Sequence, residues 1–93
     1  FRSQQIATLC EAENIPCFLG GCIETTPGTA AHCHFYAATP NIVSAVEIGG
    51  DFYVDDIVEA PIPKMGDYLI LPDKPGLGVV IDEDKLAAYR TTF

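Results

Sequence analysis

One stretch decides most of what this chain can become. From Ile15 to Gly28 it reads I-P-C-F-L-G-G-C-I-E-T-T-P-G. Its apolar part, Ile15 to Ile23, is interrupted by Gly20 and Gly21. A run of this length is far short of the roughly 20 residues that cross a membrane, and it suits a strand buried on both faces. Glu24 ends the run, and Thr25, Thr26 and the helix-start pair Pro27-Gly28 follow. A buried strand that ends in a charge and turns into a helix brings a carboxylate to the carboxyl end of an α/β sheet.

The flanking segments extend that pattern. Phe1 to Asn14 reads as a helix: Ile6, Leu9 and Cys10 share a face that Ala7 extends, while Gln4, Gln5, Glu11 and Glu13 are polar. Ser3 is a candidate cap for its first turn, a start before Phe1 is the alternative, and Asn14 ends it. The strand is expected over Pro16 to Ile23. A second helix is expected from Pro27, whose preset φ suits the first helical position, with Thr26 as N-cap. It runs through Ala30, Ala31, Cys33, Phe35, Tyr36, Ala37 and Ala38 and stops before Pro40. Ile42 to Ile48 is another short apolar run, delivering Glu47 into Gly49-Gly50. Strand, helix and strand so close together make a βαβ unit with parallel strands.

From Asp51 the pattern changes. Prolines come thickly at Pro61, Pro63, Pro72 and Pro75. Tyr68 to Leu71 reads as a short strand closed by Pro72-Asp73, and Gly76 to Ile81 as a turn and a further strand. Asp82 or Asp84 caps a last helix, Lys85 to Arg90. This tail is too small to build its own core and is expected to wrap around something else.

The 93 residues allow one small domain, yet 48% are hydrophobic and mean hydropathy is +0.21. That surplus implies apolar surface covered by something outside these residues. With a helical pattern already running at Phe1, a piece of a longer chain is the expectation, ahead of a processed or tagged protein. Five basic against thirteen acidic residues give a net charge of −8, which argues against nucleic acid and against anionic membrane as partners. Cys10 lies in a helical pattern and Cys17 and Cys22 in the apolar run, so free buried thiols in a reducing, cytoplasmic protein are expected.

Six strings, in order, carry a resemblance over nearly the whole chain. They are I-A-T-L-C-E-A-E-N-I-P (Ile6 to Pro16), G-G-C-I-E-T (Gly20 to Thr25), A-A-T-P (Ala37 to Pro40), V-E-I-G-G (Val46 to Gly50), D-D-I-V-E-A-P (Asp55 to Pro61) and L-P-D-K-P-G-L-G-V-V-I-D-E-D (Leu71 to Asp84). Together they resemble the carboxyl-terminal end of an enolase-superfamily barrel of the mandelate racemase / muconate lactonizing enzyme group. The resemblance implies an α/β fold, the C-terminal part of a (β/α)7β TIM-type barrel. Residues 1–50 would hold the last helix-strand-helix-strand units, a βαβ unit around strands seven and eight. Residues 51–93 would form a returning tail that packs on a capping domain.

The resemblance also implies chemistry: removal of a proton next to a carboxylate, with the enolate held on Mg²⁺ or Mn²⁺. The metal ligands and lysine bases would lie on earlier strands, outside this sequence. Glu47 matches the strand-eight glutamate that hydrogen-bonds a substrate carboxylate or enolate oxygen, as the catalytic group. Glu24 matches a strand-seven glutamate of muconate-type members and, with Gly20 and Gly21, would line the substrate site. No metal ligand is assigned here. The implied partners are the remainder of the barrel and its capping domain, a small carboxylate substrate, and further copies in a homo-oligomer. Two departures favour the muconate-type branch: Leu19-Gly20-Gly21 stands where racemase-type members carry a histidine, and Glu47-Ile48-Gly49 stands where dipeptide epimerases have Asp-x-Asp. A racemase or an acid-sugar dehydratase of the same superfamily is the alternative.

Blander readings stand beside these. His32-Cys33-His34 with the other cysteines has no short-range ligand spacing, so packed or surface histidines are expected ahead of zinc. The glycine pairs match no phosphate-binding motif. Asp51, Asp55, Asp56 and Glu59 read as a solvated acidic loop rather than a calcium site. Glu24 and Glu47 could be solvated strand ends. A non-catalytic acidic α/β interaction module is the alternative of a different class.

Overall fold

The computed structural model describes residues 1–44 and 52–92. Its elements are α1 (Arg2–Ala12), α2 (Thr26–Ala37), β1 (Lys64–Met65), β2 (Tyr68–Leu69) and α3 (Glu83–Tyr89). The expected strand end at Glu47, the Gly49-Gly50 loop and the boundary between residues 50 and 51 all lie outside the described residues.

The first helix starts without a side-chain cap. Phe1 occupies the N-cap, so the expected cap from Ser3 does not form. Its end is well made. Asn14 adopts φ 55, a left-handed conformation that asparagine tolerates. The Asn14 N–H donates to the Glu11 carbonyl at 3.1 Å and the Ile15 N–H to the Cys10 carbonyl at 2.8 Å. These two bonds around a left-handed residue form a Schellman motif, which satisfies carbonyls the helix would otherwise leave open. Of the expected apolar face only Ala7 is buried; Ile6 and Leu9 are exposed.

The expected buried strand over Pro16 to Ile23 is corrected. The segment forms one parallel bridge, Cys17 with Ile42, made by the Cys17 N–H on the Asn41 carbonyl (2.9 Å) and the Val43 N–H on the Cys17 carbonyl (3.2 Å). Phe18 and Ile23 are exposed. A strand buried on both faces needs hydrogen-bonding neighbours and covering layers, and the described residues supply one partner at one position. The parallel sense of that bridge agrees with a βαβ connection through α2.

In α2, Thr25 is the N-cap rather than Thr26, which is the first residue of the helix, followed by Pro27. Neither threonine caps with its own side chain. The free donors at this end are met by Asp56, thirty residues on, whose Oδ2 accepts from the Thr26 N–H at 2.7 Å and from the Thr26 hydroxyl at 2.6 Å. Thr26, Thr29 and Ala30 are the buried residues of α2, whereas Ala31, Ala37 and Ala38 are exposed.

The tail is a hairpin, a bridge and a helix. β1 and β2 pair antiparallel in the register Lys64 with Leu69 and Met65 with Tyr68. Gly66, at φ 60, opens the two-residue turn between them. The strand expected over Tyr68 to Leu71 is therefore shorter, though the Ile70 N–H still reaches the Pro63 carbonyl at 2.8 Å. The strand expected over Gly76 to Ile81 reduces to an antiparallel bridge between Val58 and Ile81. Asp82 caps α3, accepting from the Lys85 N–H at 3.0 Å. Lys85 and Tyr89 reach back to Asp55, at 2.8 Å and 3.2 Å.

The buried apolar side chains are Ala7, Ala30, Ile42, Val58 and Ile62, and among the described residues no large side chain is fully buried. The radius of gyration is 14.9 Å, against about 12 Å for a compact chain of this length. The apolar surplus of the sequence is thus left largely on the surface.

Candidate functional site

Glu24 sits where the irregular segment enters α2. Its Oε1 accepts from the Cys22 N–H at 2.7 Å, and the Glu24 N–H donates to the Cys22 carbonyl at 3.1 Å. Its Oε2 is buried and has no hydrogen-bond partner among the described residues. A carboxylate held by one oxygen and unsatisfied at the other is costly unless something supplies a donor, so the free oxygen is an acceptor waiting for one. Gly28 makes room for this side chain: a Cβ there would stand 2.9 Å from Glu24 Cβ and 3.2 Å from its Cγ.

Gly20 and Gly21 are both exposed and lie on the same segment as Glu24. A Cβ at Gly20 would come within 3.3 Å of the Phe18 ring. The segment is pinned from the tail, where the Tyr53 hydroxyl donates to the Ile23 carbonyl at 2.6 Å. Two tail residues, Tyr53 and Asp56, thereby fix both sides of Glu24. Local sequence gave no signal for either, because both act on partners thirty residues away. Glu47 lies outside the described residues, so its distance from Glu24 is not defined.

On the opposite side of the same segment, Asn41 joins three parts of the chain. Its amide nitrogen donates to the Ile15 carbonyl at 3.0 Å and lies 3.4 Å from both the Ala7 carbonyl and Cys17 Sγ. Burial, the adjacent Cys10 thiol second, pushes the Cys17 thiol up, and burial does the same to Cys33. All four cysteines are free. His34 is spent on structure, its Nε2 meeting the Leu77 carbonyl at 3.2 Å.

Among the described residues no group of three or more His, Cys, Asp or Glu could hold a metal ion. Those residues do not fit the divalent ion the resemblance implies, whose ligands the resemblance puts on strands outside this sequence. No helix among the described residues is long and apolar enough to cross a membrane.

The half-satisfied Glu24 carboxylate before α2 and the parallel bridge between Cys17 and Ile42 are joined by what comparison with known proteins finds. The family model described as enolase C-terminal domain-like matches residues 1–85, and the chain belongs to that family. Within it, the chain is similar to muconate-type enzymes. Chloromuconate cycloisomerase of Pseudomonas putida is 36% identical over 86 residues, covering 91% of this chain and 23% of that protein. Muconate lactonizing enzyme from Klebsiella pneumoniae superposes with a TM-score of 0.85 at 35% identity, covering 94% of this chain and 25% of that one. For 2-chloromuconate cycloisomerase from Rhodococcus opacus 1CP the TM-score is 0.89 at 28% identity, covering 98% and 25%. The chain thus spans about a quarter of the length of the relatives it matches.

Proposed function

We propose that this chain is the C-terminal segment of a muconate cycloisomerase-like isomerase or lyase. The whole enzyme removes a proton next to the carboxylate of a small substrate and requires a divalent cation, Mg²⁺ or Mn²⁺, held by residues outside this sequence. Residues 1–50 complete a barrel around its seventh and eighth strands, and residues 51–93 return as a tail against a capping domain. In this reading Glu24 and Glu47 serve the substrate site of the whole enzyme.

The observation that carries this reading is the state of Glu24. One oxygen is committed to the Cys22 N–H and the other is buried without a partner among the described residues. A solvated strand end would need neither feature. Glu24 orients the substrate through a neighbouring side chain that supplies the missing donor. Glu47, as a protonated or well-paired acid, hydrogen-bonds the substrate carboxylate or enolate oxygen on which negative charge develops as the substrate proton leaves, a role that requires a donor in the transition state. Gly20 and Gly21 leave space on the same segment.

The test is steady-state kinetics of the intact enzyme on muconate and chloromuconate. Glu47→Gln is expected to lower kcat by roughly 100-fold or more with the unfolding midpoint little changed, and Glu24→Gln to act mainly on kcat/KM. Unchanged turnover in both variants would reject the assignment.

A further inference from the structure

Cys22, Ile23 and Glu24 form a turn that closes on itself. The Glu24 N–H donates to the Cys22 carbonyl at 3.1 Å, and the Cys22 N–H donates to Glu24 Oε1 at 2.7 Å. The first bond spans two residues, the pattern of a γ-turn centred on Ile23. Cys22 and Ile23 are exposed, so packing does not hold this turn in place. The tail supplies the constraint. The Tyr53 hydroxyl donates to the Ile23 carbonyl at 2.6 Å. That carbonyl belongs to the same planar peptide unit as the Glu24 N–H. The unit is therefore held at both ends, by Cys22 from within the turn and by Tyr53 from the tail. Three residues on, Asp56 holds the Thr26 N–H and hydroxyl. The two anchors share one offset of 30 residues, Ile23 with Tyr53 and Thr26 with Asp56, and Glu24 lies between them. Asp56 acts on the start of α2, whereas Tyr53 acts on the peptide from which the Glu24 side chain departs.

We propose that Tyr53 is a positioning residue for the reaction: its hydroxyl fixes the Ile23–Glu24 peptide and thereby aims the Glu24 carboxylate. This rests on Glu24 serving the substrate site. A peptide plane that rotates carries the next Cα–Cβ bond with it. Glu24 Oε1 then leaves the Cys22 N–H, and the buried Oε2 moves out of line. A misplacement of about 1 Å at a group that orients the substrate is enough to cost roughly 100-fold in rate. Water can replace the hydroxyl at the exposed Ile23 carbonyl, so folding is spared. A water molecule is not tied to the tail, however, and does not fix the plane. Phenylalanine at position 53 keeps the ring and removes the donor, so Tyr53→Phe isolates this one bond.

The test uses the intact enzyme as Tyr53→Phe, Glu24→Gln and the double variant, with kinetics on muconate and chloromuconate and residue-resolved amide exchange. Tyr53→Phe is expected to lower kcat/KM roughly 10-fold with Tm little changed. Exchange of the Cys22 N–H, which reports directly on the Glu24 carboxylate, should speed up roughly 10-fold, while residues 29–37 of α2 keep their protection. In the Glu24→Gln background, Tyr53→Phe should add little further loss, because both changes act through one group. Wild-type kinetics or wild-type Cys22 exchange in Tyr53→Phe, beside an impaired Glu24→Gln, overturns the role of Tyr53 and leaves Glu24 in the site. Fully additive losses overturn it as well, since Tyr53 would then act independently of Glu24. So does a fall in Tm with faster exchange throughout α2, which marks a residue serving the fold. Wild-type turnover in Glu24→Gln itself would mean that the reading of Glu24 has failed, and the role of Tyr53 falls with it.

Discussion

The carboxylate of Asp56 holds the first residue of α2 by two hydrogen bonds, one to the Thr26 N–H and one to its hydroxyl. The opening N–H groups of a helix have no partner within it and carry the positive end of its dipole. A carboxylate there combines charge and hydrogen bonding, and its second oxygen holds the Ile57 N–H at 2.6 Å. Asp56→Ala is expected to cost about 1–2 kcal/mol, and Asp56→Asn less, because it keeps an acceptor. Amide exchange at residues 26–29 of the intact protein checks this. Protection that stays at the wild-type level in Asp56→Ala would show that the cap does not hold α2.

The contact of Lys85 and Tyr89 with Asp55 predicts a loosening of α3 at both ends of the pH scale. The Lys85 ammonium, then the Asp56 N–H, hold the Asp55 carboxyl below its ordinary range. A carboxyl depressed in the folded state contributes stability above its unfolded value, about pH 4, and that stability is lost as pH falls through the lower folded value. Asp55 raises both Lys85 and Tyr89. Their contributions are present below their unfolded values, near about pH 10, and are lost as pH rises through the higher folded ones. The pair is substantially exposed, so high salt should weaken it. Tyr89 fluorescence or exchange at 83–89 should change in those two windows, and Asp55→Asn should remove the acid one.

How much of this could be read from the residues varies with the range of the interaction. The helices were legible because their signals are local: Asn14 at a left-handed stop, Pro27 in a first turn, Asp82 three residues before the N–H it caps. The family was legible because its strings lie in order along the chain. The run from Pro16 to Ile23 has strand composition, yet a strand is defined by its neighbours, and among the described residues this one meets only Ile42. Exposure of Ile6 and Leu9 follows from the same cause: an amphipathic pattern says which face wants cover and not what covers it. The roles of Asp56 and Tyr53 were hidden because each reaches across thirty residues.

Two glycines of the tail are expected to respond differently to the same substitution. Gly66 has φ 60 and open space around its missing side chain, whereas Gly78 has φ 74 and a Cβ there would collide with the Pro72 ring. Gly66→Ala should cost only the left-handed conformation, about 1 kcal/mol. Gly78→Ala adds a clash with a rigid ring, which cannot swing away, and should cost several times as much. Thermal unfolding of the two variants in the intact protein gives the comparison. Equal shifts in Tm would mean that the loop between Pro72 and Gly78 relaxes freely.

Gly28 separates the stability of α2 from the placement of Glu24. Alanine is a better helix former than glycine by about 1 kcal/mol, so on backbone grounds Gly28→Ala should leave the helix as stable or more so. The added Cβ, however, would stand 2.9 Å from Glu24 Cβ, and the glutamate must move, taking its buried oxygen out of line. If Glu24 orients the substrate, a displacement of this kind should lower kcat/KM of the intact enzyme by roughly 10- to 100-fold without a matching loss of Tm. A residue serving only the fold would move both quantities together. Wild-type kinetics in Gly28→Ala would mean either that Glu24 tolerates the shift or that it does not touch the substrate. Glu24→Gln separates those two, since it alters the oxygen's chemistry and leaves the space around it unchanged.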